Sequence, residues 1–107
     1  MSLDVTLKVP GMVEVYWRNI THNLNVMAEA AGIYKHLWRP EEIGITKAGD
    51  LIAPLTDGLA RLVADPEKFK KLNPSNGWGS YEGLCDFVSE YIEACKDNPE
   101  AIVEADR

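Results

Sequence analysis

The sequence predicts an α+β fold: a two-layer sandwich with an N-terminal antiparallel hairpin and a C-terminal strand in one three-stranded sheet. Three to four helices are expected to cover one face of that sheet. Three observations predict it. Apolar and polar residues alternate over residues 3–9 and 13–20, the period of a half-buried strand. Apolar residues then recur at helical spacing through the middle of the chain, punctuated by prolines. Residues 101–107 return to alternation, with Ala101, Val103 and Ala105 on one side. Strands at both ends with helices between them make two layers, and 107 residues form one domain with a modest core.

Pro10-Gly11-Met12 is the expected hairpin loop. Placing Val9 opposite Val13 sets Leu7 opposite Val15 and Val5 opposite Trp17 on a core-facing side. The other side then pairs Lys8 with Glu14, Thr6 with Tyr16 and Asp4 with Arg18, so opposite charges meet twice. That second face is expected to meet solvent or a second copy.

Thr21 is a suitable N-cap for the first helix. Leu24, Met27, Ala31, Tyr34 and Trp38 form its apolar stripe, and Pro40 ends it. Gly32 lies inside this stretch, where it either weakens the helix or permits close packing. A second helix is expected over 46–64, with Leu51, Ile52, Leu55, Leu59, Leu62 and Val63 inward and a kink at Pro54. Asp65-Pro66-Glu67 reads as cap, first-turn proline and first-turn acid of a short helix. The last helix is capped by Ser80, buries Tyr81, Leu84, Cys85, Val88, Tyr91, Ile92 and Cys95, and closes at Asn98-Pro99.

Composition excludes several functions. No apolar run approaches the twenty or so residues of a membrane span, and the start lacks the pattern of a signal peptide. A cytoplasmic setting is the expectation. A net charge of −6 and a pI near 4.8 disfavour nucleic acid and anionic membranes as partners. Cys85 and Cys95 are separated by about 15 Å of helix, beyond disulfide reach, and read as reduced thiols. No cofactor motif is present: both phosphate-loop glycine patterns are missing. A metal site is poorly supported, because His22 and His36 lie about 21 Å apart along a helix.

The strings Asn19-Ile20-Thr21-His22-Asn23-Leu24, Ala31-Gly32-Ile33-Tyr34, Leu37-Trp38-Arg39-Pro40-Glu41-Glu42 and Asn76-Gly77-Trp78-Gly79-Ser80-Tyr81-Glu82-Gly83 carry a likeness. Together they resemble a family of small proteins encoded by bacteriophages and bacterial mobile elements, over residues 13–107. The resemblance implies a bacterial or phage cytoplasm and a single-domain accessory protein, and brings no catalytic residues with it.

Large polar and aromatic side chains gather at three joints between elements, where folds place binding groups. His22, Asn23, Trp38, Arg39, Asn76, Trp78 and Tyr81 are the candidate binding residues. A neutral His22 beside Asn19, Asn23 and Glu82 has the chemistry of a base or a polar contact; its plain alternative is a structural hydrogen bond. Trp38 and Arg39 offer a stacking plane and a guanidinium fork, or simply finish the apolar stripe and pair with a glutamate. Trp78, between two glycines, either plugs the core or stands out as an anchor, and the inward plug is expected.

These features predict a non-enzymatic protein-interaction module, most simply a homodimer. One rival is a ligand or enzymatic pocket where the three joints converge. Another is an acidic decoy for a host DNA-binding protein, using Glu82, Asp86, Glu90, Glu93, Asp97 and Glu100.

Overall fold

A computed structural model describes residues 2–107 and has the expected α+β architecture. Strands β1 (Ser2–Val9) and β2 (Val13–Thr21) form the hairpin, and β3 (Ile102–Asp106) pairs with the other side of β1. The sheet is antiparallel throughout, in the order β2-β1-β3. Its turn is the three-residue loop expected, with Gly11 and Met12 both at positive φ. Leu3, Val5 and Leu7 alternate into the core and are fully buried.

The register of β2 departs from expectation after two pairs. Val9↔Val13 and Lys8↔Glu14 form as the side chains predict, but Leu7 faces Tyr16, Val5 faces Arg18 and Leu3 faces Ile20. One extra residue, Val15, enters β2 at this point as a bulge. A one-residue slip exchanges the faces of every residue beyond it. Tyr16, Arg18 and Ile20 therefore turn toward the helices, not to solvent, and Val15 and Trp17 stand exposed, not buried.

The last long helix explains why this arrangement wins. Tyr16 stacks on Tyr91 with ring centroids 5.8 Å apart, and its hydroxyl meets Glu90 at 3.2 Å. Arg18 pairs with the same carboxylate and lies over the Phe87 ring. Ile20 joins the core at 8% exposure. A stack, a shared ion pair and a buried isoleucine outweigh one exposed indole.

The stripe from Leu24 to Trp38 is not one helix. A 3-10 turn, His22–Leu24, leads into α1 (Asn25–Ala30) and a separate α2 (Tyr34–Trp38). Gly32 at φ +79 makes the break, and Arg61 Nε donates to the carbonyl of Ala31 there at 2.8 Å. Another 3-10 turn, Pro40–Ile43, follows. Helix α3 (Gly49–Ala64) begins later than expected, because residues 46–47 are engaged by the sheet: Val103 N–H donates to Thr46 O. It runs through Pro54 without a break. Leu51, Leu55 and Leu62 point inward, while Val63 is exposed and Gly58 takes an inward position instead.

Helices α4 (Pro66–Lys70) and α5 (Tyr81–Asp97) form as predicted. Asp65 accepts from Lys68 N–H, and Ser80 Oγ accepts from Gly83 N–H at 3.0 Å. The buried side chains of sheet and helices join in one hydrophobic cluster.

Candidate functional site

The end of β2 and the loop before α5 are forced together by a glycine. Gly79, at φ +100, lies so close to β2 that an added Cβ would sit 2.7 Å from Thr21 Cγ2 and 2.9 Å from Leu24 Cγ. No other residue combines that backbone angle with that lack of bulk. The loop holds its own shape: Asn76 Oδ1 accepts from Trp78 N–H at 2.9 Å, and Asn73 Oδ1 accepts from Tyr81 N–H at 2.8 Å. On the strand side, Thr21 Oγ1 accepts from Asn23 N–H at 3.3 Å and starts the 3-10 turn.

Between these two segments lies an open hollow of ≈ 570 Å³. Asn19, Thr21, His22 and Asn23 line it from the strand and turn, Asn76 and Trp78 from the loop, and Ser2 from β1. Among the described residues, no carboxylate, lysine or arginine borders it. Three carboxamides, each able to donate and accept, supply its polarity. Trp78 stands at its rim with 68% of its surface exposed, so the expectation of an inward plug is corrected. The two flanking positive-φ glycines hold it outward, and the core is already closed by Leu24, Tyr81 and Leu84.

Four of the seven candidate residues thus meet: His22, Asn23, Asn76 and Trp78. Trp38 stands behind His22 without lining the hollow. It is buried, with its ring edge-on to His22 at 6.3 Å and stacked on Tyr34 at 5.6 Å. Arg39 lies away from the hollow and is held by Tyr34 Oη and Glu42. Tyr81 is structural. Its hydroxyl donates to Leu62 O at 2.7 Å, a carbonyl whose usual helical partner, four residues on, is Pro66 and has no N–H. Glu82 faces Lys70 and does not border the hollow.

This geometry does not assemble a catalytic set. His22 Nε2 is buried and makes no hydrogen bond among the described residues, although the residue lines the hollow. No carboxylate among the described residues bonds the ring, and the Thr21 hydroxyl serves as a cap. The cysteines offer no alternative nucleophile. Burial pushes the Cys95 thiol up to about 12 and raises that of Cys85 as well, so both stay protonated. Among the described residues, no three His, Cys, Asp or Glu side chains cluster to hold a metal ion, and no helix is long and apolar enough to cross a membrane.

Residue-type reasoning placed Asn19 beside His22 but did not include Ser2 or Thr21 among the lining residues, though Thr21 directly precedes His22 in sequence. Ser2 was reachable only through the strand register, where it faces Thr21. No protein-family model, curated protein or solved structure matches the chain.

Proposed function

We propose that this protein is a non-enzymatic interaction module whose binding surface is the hollow beside Trp78. The observation that carries this reading is an exposed indole at the rim of an uncharged, amide-lined depression. Tryptophan is among the residues enriched as anchors of protein interfaces, because it offers a large rigid surface at low entropic cost. The carboxamides of Asn19, Asn23 and Asn76 match the alternating donors and acceptors of a peptide backbone. An uncharged peptide segment is the ligand this lining favours. Phage or bacterial accessory proteins of the kind the sequence resembles would find such a segment on a host protein in the cytoplasm.

Peptide-display selection on the intact protein tests the reading. Uncharged peptides should be enriched, and their binding should fall at least tenfold with Trp78→Ala and with Asn76→Ala. Selection of no peptides, or of peptides indifferent to both substitutions, would refute it.

The decoy reading draws less support. Glu90, Glu93 and Glu100 pair with Arg18, Lys96 and Lys47, and Glu82 lies near Lys70. A charge-mimicking face needs its carboxylates unneutralised.

A further inference from the structure

We infer that the free edge of β2 pairs antiparallel with the β2 of a second copy, about a two-fold axis at Trp17, fusing the two sheets into one. An unpaired strand edge presents a row of N–H and C=O groups ready to receive another strand. The central strand β1 is paired on both sides. The outer edge of β3 is engaged at its start, where Thr46 and Lys47 bond to Val103 and Ile102. The outer edge of β2 receives no backbone hydrogen bond from any other described residue.

Of the usual safeguards, Val13–Thr21 carries the bulge at Val15 and the charges of Glu14 and Arg18, but no lysine or proline. Val13, Val15 and Trp17 stand 40–56% exposed along this edge, with Met12 at 67% in the adjoining turn. The bulge at Val15 bends the strand near the hairpin turn and leaves the stretch from Tyr16 onward regular.

The strand's own sequence selects both the occupant and the register. A two-fold axis at Arg18 would set arginine against arginine, a like-charge pair that opposes association. An axis at Tyr16 would set both bulges beside the axis, opposite Trp17, whereas an axis at Trp17 moves them to the ends of the pairing, opposite Asn19. An axis at Asn19 would leave each indole opposite a threonine. With the axis at Trp17, the two indoles face each other across the sheet. Arg18 then lies opposite Tyr16 of the second copy, whose hydroxyl already contacts Glu90. Arg18 and Glu90 are 34% and 54% exposed, so each cation gains a second carboxylate within reach. The self-complementary edge needs no other partner chemistry, and its centre at Trp17 lies outside the lining of the hollow, which shares Asn19 with the paired stretch.

A strand pair of about five residues spans roughly 17 Å, a small contact of the kind found in weak complexes. Sedimentation equilibrium on the intact protein, from about 10 to 1,000 μM, should show the mean mass rising toward twice the monomer. Trp17→Lys, a substitution at a half-exposed site, should hold the protein monomeric with an unchanged circular dichroism spectrum. Trp17→Cys should form an interchain disulfide under mild oxidation, since directly paired residues lie within disulfide reach. Val26→Cys, exposed on α1, should not, and neither should the wild-type chain. A wild-type monomer at the highest concentration would overturn the proposal. So would a dimer that survives Trp17→Lys, or one that cross-links as readily through position 26.

Discussion

Gly58 of α3 faces Ile33 so closely that a Cβ at position 58 would lie 2.3 Å from Ile33 Cγ2. Ile33 is fully buried at the corner between α1 and α2, so the contact fixes where the broken helix rests on α3. Overpacking of this kind costs about 1–3 kcal/mol, and so short an approach belongs near the top of that range. Alanine's better helix propensity returns about 1 kcal/mol. Gly58→Ala should therefore lower stability by about 2 kcal/mol in urea unfolding. In an Ile33→Ala background the same change should become neutral or stabilising, because its steric opponent is gone.

Two buried tyrosines should respond in opposite ways to losing a hydroxyl. Tyr81 satisfies the carbonyl of Leu62, which Pro66 cannot reach with a proton. Tyr81→Phe strands that carbonyl and should cost about 1–3 kcal/mol. The hydroxyl of Tyr91 is buried without a partner among the described residues. Tyr91→Phe should leave the urea midpoint unchanged or raise it. Equal losses from both substitutions would contradict the hydrogen-bond assignment.

Tyr16 gives the protein an alkaline signature. Burial first, then the charge and hydrogen bond of Glu90, push its phenol up to about 12. An unfolded tyrosine titrates near 10, so the folded chain holds this proton more tightly. The stability it confers is complete below pH 10 and disappears as pH rises through 12. Ultraviolet titration should show one phenol ionising near 12 in the folded protein, and Glu90→Gln should bring that midpoint down.

Gly79→Ala should damage the hollow selectively. The added methyl collides with Thr21 and Leu24 and occupies a strained positive φ, so the loop must lift away from β2. Hydrogen exchange should quicken at Trp78 and Tyr81, whose N–H groups bond within this loop and at its end. The amides of β1 and β3 should stay protected. Uniform loss of protection across the sheet would show that the loop is not a local unit.

Most of the architecture was legible because local chemistry specifies it. Asp65 and Ser80 are caps with few alternatives, and Pro10-Gly11-Met12 turns the chain as its residues demand. The bulge in β2 escaped because alternation assumes a regular strand. A clue was present in Ile20: this buried residue has the opposite parity to Val13, Val15 and Trp17, so no unbroken strand could bury all four. Gly32 escaped for a similar reason, since helical spacing survives across a break when both pieces pack on one core. The site was half legible. His22 and Asn23 sit beside the strand end they serve, and Asn76 with Trp78 is marked by its glycines. Tyr81 and Arg39 looked equally functional, but their partners, Leu62 and Tyr34, are set by tertiary packing.

The middle position of β1 has a consequence for how the chain folds. Its hairpin partner is adjacent in sequence, whereas its other neighbour arrives only after five intervening helices. Until that distant segment docks, Leu3, Val5 and Leu7 belong to a two-stranded ribbon open along both borders, a form with little stability of its own. Closure over so long a stretch is slow relative to the turn. The interval before it is when neighbouring nascent molecules would adhere through β1, a hazard absent once the sheet is complete.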